Sequence, residues 1–270
     1  MNAKIFLTRT CCSAILLVGL LVGINWYIDL YGLFQKTSGR TISIYSDERT
    51  SKFLLAHRYV PENFNAYIVG PSLSANLDPS AFPQLGIYNF SMMGANITEQ
   101  KAVVEKALEV STPRTVFICL HPYLTMDHGM KTGMINPKEY WGALGSFSLY
   151  KAYALRVVRE MNWLPAKFPS HQFNAYGNNN YEAILKVASV EDRINEELKL
   201  PGAVDARIDS VALQELDELI HTLRQRKVNI IAYFHPLPLP IFNKFKNELM
   251  IYHQVMYRHL ADDAEIIDFT

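Results

Sequence analysis

The chain has 270 residues, 49% of them apolar and 19% charged, with 26 basic and 26 acidic side chains. The apolar fraction excludes a disordered chain, and 13 Gly and 13 Pro without a period exclude collagen-like and repeat architectures. The charge balance excludes a surface built to coat nucleic acid, and the length suits one large domain or two small ones with a sizeable core.

Lys4 and Arg9 are the only charges before Asp29, so residues 10–28 form an uninterrupted uncharged run. Roughly 20 apolar residues cross a bilayer core, and this run predicts a transmembrane signal anchor behind a cytoplasmic tail of residues 1–9. Trp26, Tyr27 and Tyr31 follow at its end, where amphipathic rings favour the interface. Basic residues before the run and Asp29 after it predict a single-pass protein of the cell membrane with its C-terminal domain extracytoplasmic, periplasmic or extracellular. A cleaved signal peptide is the rival reading, but no small-x-small site follows the run. Beyond the anchor Cys119 is the only thiol, so that part can form no internal disulfide, and its apolar surroundings predict a buried core residue.

Residues 29–60 read as a connector followed by a helix, capped by Ser46 or Asp47 and apolar along Phe53, Leu54, Leu55 and Tyr59. From residue 61 to 270 a regular alternation predicts one α/β domain. Strands are expected at 66–69, 87–90 and 115–120, with a helix after the second opened by an Asn96–Glu99 capping box. Residues 121–205 interrupt this rhythm as an insertion, with a helical stretch at 149–161 and a polar one at 171–180. Eleven of the chain's 32 aromatics fall between Tyr123 and Tyr181. Two readings of that excess stand open: the rings pack the insertion's own small core, or they form a stacking platform for a sugar or another ligand. The alternation resumes with a helix capped by Ser210, a strand at 228–234, a helix at 245–260 and a strand at 265–269. Short apolar strands between amphipathic helices predict a flavodoxin-like, doubly wound parallel sheet covered on both faces.

Ligands of such sheets bind outside the C-terminal strand ends, where three polar junctions converge. Gly70-Pro71-Ser72 follows the first strand, Asn89-Phe90-Ser91 through Asn96 the second, and His-Pro pairs the third and fourth. A serine on a strand-to-helix turn suits nucleophilic attack, because free backbone N–H groups there favour a developing negative charge. The same residue also suits plain helix capping. His235 and then His121 are the candidate bases. His121, Asp127, His128 and His235 show no recurrent metal-ligand spacing, and no metal or cofactor is expected.

Gly70-Pro71-Ser72-Leu73 resembles the nucleophile block of the SGNH (GDSL) hydrolase superfamily, with Pro in place of the usual Asp. Asn89-Phe90-Ser91-Met92-Met93-Gly94-Ala95-Asn96 resembles its second block, whose glycine N–H helps build the oxyanion hole. The anchor, Tyr31 to Phe34, and Arg49 with Lys52 resemble the exported branch associated with exopolysaccharide or cell-wall acylation. The resemblance covers residues 45–120 and, more weakly, 205–270. It implies an SGNH-like fold and an esterase or O-acyltransferase, with Ser72 as nucleophile and Gly94 and Asn96 at the oxyanion. His235 stands in as base. It implies a carbohydrate or acyl-ester substrate and partners in a polysaccharide-assembly system. Where the family has Gly-x-Asn-Asp this chain reads Leu120-His121-Pro122-Tyr123, and no Asp-x-x-His follows Asp268. The alternative expectation is therefore a catalytically incomplete domain that binds glycan or scaffolds polysaccharide assembly.

Overall fold

The computed structural model of the protein describes residues 3–42, 47–125, 135–163, 173–179, 189–199 and 207–270. Its helices are α1 (Ala3–Ile28), α2 (Glu48–Ala56), α3 (Tyr59–Asn63), α4 (Ser72–Ala75), α5 (Ile97–Leu108), α6 (Glu139–Gly142), α7 (Phe147–Glu160), α8 (Val190–Lys199), α9 (Ser210–Gln225), α10 (Leu239–Lys244) and α11 (Lys246–Leu260). The strands are β1 (Ala66–Val69), β2 (Ile87–Asn89), β3 (Thr115–Leu120), β4 (Asn229–Phe234) and β5 (Glu265–Asp268). They form one parallel sheet in the order β2-β1-β3-β4-β5. The chain is thus α/β, and its strand order reverses between β1 and β3 as in doubly wound sheets.

Side chains alternate across a strand, and the register sorts them into two unlike faces. Tyr67, Val69, Tyr88, Phe90, Val116, Ile118, Leu120, Ile230, Ala232 and Phe234 share one face and enter a single core. Val103, Val104 and Ala107 of α5, Leu216, Leu219 and Leu223 of α9, and Tyr252 and Met256 of α11 complete that core. Each Val, Leu, Ile, Phe or Met among them contributes about 1.5–3 kcal/mol when fully buried. On the other face Ile87, Phe117, Ile231 and Ile267 are only half-buried. Ile68, Cys119 and Tyr233 on this face are buried, so the sheet is covered on both faces as expected, though unevenly. The β1-to-β2 connection, which lies on this second face at Asn89 and Cys119, consists only of α4 and two short 3-10 turns.

Local signals place most elements. Asn96 and Glu99 form the capping box, with Asn96 Oδ1 accepting from the Glu99 amide at 3.0 Å. Asp47 caps α2, and Ser46 lies outside the described residues. The helix at 210 is capped by Asp209, whose carboxylate accepts from the amides of Val211 and Ala212. Ser210 is its first helical residue, which corrects the expected cap.

α1 has a mean hydropathy of 2.2 along its apolar stretch and is long and apolar enough to cross a membrane. Only Asn25 on it is buried. Asn25 donates to the carbonyls of Ala143 and Leu144 at 3.2 and 2.7 Å, and its own oxygen accepts from the Tyr153 hydroxyl. Immediately after α1, Asp29 turns the chain at φ +42 and is buried. Its carboxylate collects the amides of Leu33, Phe34 and Gln35 and pairs with Arg40 at 3.2 Å. Leu30, Tyr31 and Ile42 then enter the core. Residues 29–42 of the connector thus pack against the domain as a collar.

Candidate active site at the C-terminal rim of the sheet

β1 leads toward β2 on one side, while β3 leads toward β4 on the other. The crevice between the exits of β1 and β3 is where such sheets bind ligands. Gly70 leaves β1 in close contact: a Cβ there would lie 2.1 Å from Ser74 Oγ and 2.6 Å from Cys119 Cβ. Ser72 follows at the start of α4 and is partly exposed. Its amide has no acceptor among the described residues, as expected for a first-turn N–H. Beside it, the loop leaving β2 is tied down by Met92 N donating to Gly70 O at 3.1 Å. Two residues on, Gly94 adopts φ +61, and its amide also finds no acceptor among the described residues. Two unclaimed backbone donors thus lie on the turn carrying Ser72 and on the loop bound to it.

A buried polar network supports both segments. Ser74 Oγ bonds Ser91 Oγ at 2.9 Å, and Asn89 Nδ2 donates to the carbonyls of Ser74 and Leu77. Asn89 Oδ1 receives the Ser91 amide at 2.9 Å. From the other side Lys52, fully buried, donates to Ser91 O and pairs with Glu48 at 3.2 Å. Glu48 in turn accepts from Met93 N and from Asn179 Nδ2, each at 3.2 Å. Burial lowers the Lys52 pKa, and the Glu48 carboxylate opposes that shift. Arg49 adds an ion pair to Glu99 at 2.7 Å and a bond to Met93 O.

Across the crevice His121 leaves β3 and His235 leaves β4. His121 is buried and stacks on Tyr123, whose amide donates to His121 Nδ1. Burial, together with the nearby His235, pulls its pKa down to about 3, so it is a poor base at neutral pH. His235 is partly exposed, with Nδ1 2.8 Å from Pro236 O. A carbonyl can only accept, so in the neutral ring this contact favours the Nδ1–H tautomer, in which Nε2 is the acceptor. Among the described residues Ser72 Oγ bonds neither histidine. β3 lies between β1 and β4, so about 10 Å separates the strand axes from which Ser72 and His235 depart.

The rim thus gathers Ser72, Gly94, His121 and His235. Asn96, expected to donate to an oxyanion, is buried, with its Oδ1 engaged by the α5 cap. Asp127 and His128 lie outside the described residues. Sequence reasoning missed the Glu48–Lys52 pair, whose i,i+4 spacing on α2 was its only signal. It also missed that Asp268 faces His253 of α11, Nδ1 to Oδ2 3.6 Å, with the imidazole stacked on Phe234. Among the described insertion rings Tyr140 meets Trp141 and Tyr150 meets Tyr153, while others reach the rest of the domain. Tyr140 also meets His57, Tyr176 meets Phe64, and Phe173 lies under the Lys52 ammonium. These three rings pack on the rest of the domain. Comparison with protein-family models, with curated proteins and with solved structures finds no match.

Proposed function

We propose that the protein is a membrane-anchored serine esterase or O-acyltransferase of SGNH type. Its extracytoplasmic domain would act on ester groups of a surface polysaccharide or cell-wall glycan. The observation that carries this reading is the pair of unclaimed amides, Ser72 N and Gly94 N, beside a serine on a buttressed turn. Ser72 Oγ attacks the acyl carbonyl and its proton passes to His235 Nε2, which must come within hydrogen-bond reach of it for this step. The two amides hold the oxyanion, where one such donor is worth about 10²–10³ in rate. Collapse expels the sugar alkoxide, which takes the proton from His235. Water or a second hydroxyl then removes the acyl group by the same steps in reverse.

A glycan-binding or scaffolding domain is the second reading, favoured by the lack of a bond from Ser72 Oγ to either histidine among the described residues. A serine-reactive fluorophosphonate separates the two. The esterase labels at Ser72, loses all labelling in Ser72→Ala, and reacts about 10²–10⁴-fold more slowly in His235→Asn. An unlabelled wild-type chain whose saturable polysaccharide binding survives Ser72→Ala establishes the second reading instead.

A further inference from the structure

α7 turns one side toward the protein, burying Leu149, Ala152 and Tyr153. The adjacent side, rotated by roughly a third of a turn, carries a second apolar stripe. Phe147, Ala154, Val157 and Met161 are exposed, Phe147 by 86%, Val157 by 51% and Met161 by 54%, with half-buried Tyr150 in the same row. Their spacing of three, four and seven residues puts them on one helical face. Lys151, exposed, flanks this face, while Glu160 lies away from it and pairs with Arg156. A contiguous apolar stripe of this kind on a soluble surface marks an interaction site.

Its surroundings name the partner. Tyr150 Oη donates to the carbonyl of Leu21 in α1 at 3.3 Å, and the Asn25 bonds to Tyr153, Ala143 and Leu144 clamp the next turn. Leu21 lies seven residues, about 10 Å, inside the end of α1, within its apolar run. The start of α7 is therefore held at the depth where an apolar helix leaves hydrocarbon for headgroups. Leu17, Leu20 and Leu21 on α1 are themselves exposed. We infer that α7 is an interfacial helix that lays its Phe147–Met161 stripe into the outer surface of the same bilayer that α1 crosses. This rests on α1 being a membrane span. A helix with an apolar face and a basic flank binds lipid in this way, its charged groups among the headgroups. The domain would then touch the membrane at two places, and α7 would set its tilt.

Nitroxide labels on single cysteines test this in the full chain, reconstituted in phosphatidylcholine–phosphatidylglycerol vesicles. Cys11 and Cys12 are replaced by serine and buried Cys119 is kept. Labels go at Ala154→Cys, Val157→Cys, Glu160→Cys and, in the anchor, Val18→Cys. The expected result is that collisions with oxygen exceed those with a water-soluble nickel chelate at 154, 157 and 18, with the reverse at 160. Water-like accessibility at 154 and 157 with a lipid-like label at 18 overturns the interfacial helix and leaves the anchor standing. Low collision with both reagents at 154 and 157 overturns it in favour of a protein partner. A water-exposed label at 18 overturns the anchor itself, and the inference with it.

Discussion

Around the exits of β1 and β2, Glu48, Lys52, Ser74, Asn89, Ser91 and Asn179 form a buried network spanning four separate chain segments. Around the exits of β3 and β4, the imidazoles of His121 and His235 hydrogen-bond only within their own turns among the described residues. The first half of the rim is fixed by long-range contacts that cannot shift singly, because each member satisfies another's desolvated polar group. In the second half His121 is buried and its carbonyl accepts from Tyr252 Oη at 3.0 Å, whereas the partly exposed His235 is held by its own turn and can move without disturbing the core. A serine and its amide donors profit from rigidity, since donors fixed in advance do not have to reorganise during reaction. A base that must travel profits from the reverse.

The sharpest way to break this contrast is Lys52→Met, which leaves the Glu48 carboxylate buried without its cation. A loss of about 3–5 kcal/mol is expected from denaturant unfolding in detergent. Adding Glu48→Gln should recover part of it, and strict additivity of the two losses would show that the pair is not coupled. A smaller effect comes from the segment that closes the network. Gly177 has φ +79, and a Cβ there would lie 2.2 Å from Asn89 O. Gly177→Ala should cost about 2–4 kcal/mol in the same measurement, from left-handed strain plus overpacking. A neutral result would mean that residues 173–179 do not brace β2. Taken per pH unit, the smallest effect belongs to the histidine half. Burial holds the folded pKa of His121 at about 3, below an unfolded value near 6.5. Its contribution to stability is therefore complete above about pH 6.5 and is lost as pH falls toward 3. The slope is on the order of 1.4 kcal/mol per pH unit, to be read as the difference between wild type and His121→Asn. Parallel pH profiles would refute a buried neutral His121.

The strands, the Asn96–Glu99 box and the rim position of Ser72 were legible because each rests on neighbours within a few residues. Asp209 and Ser210 share capping chemistry, and only backbone geometry chooses between them. Lys52 stands out in the sequence only through the resemblance it shares with Arg49, and nothing near it in sequence marks it as buried. What buries it is Ser91 O, 39 residues away in sequence. Phe117, Ile231 and Ile267 read as doubly covered strand positions, since an apolar run looks the same whether helices or short turns lie over it. The insertion's aromatic excess was visible, but its partners were not: Tyr140 and Tyr176 reach residues from α2 and the β1 approach. Tyr150 and Tyr153 reach α1.

The Asp29 turn has a mechanical consequence. Three amides and Arg40 converge on one buried carboxylate directly after α1, so helix and domain are joined without slack, as a shaft is keyed to a wheel. Each residue of an α-helix advances about 1.5 Å and turns about 100°. One alanine added near Val18 would therefore rotate the N-terminal half of α1 by that angle relative to the crevice at Ser72. Whatever grips the far end of the shaft steers the direction in which the crevice opens.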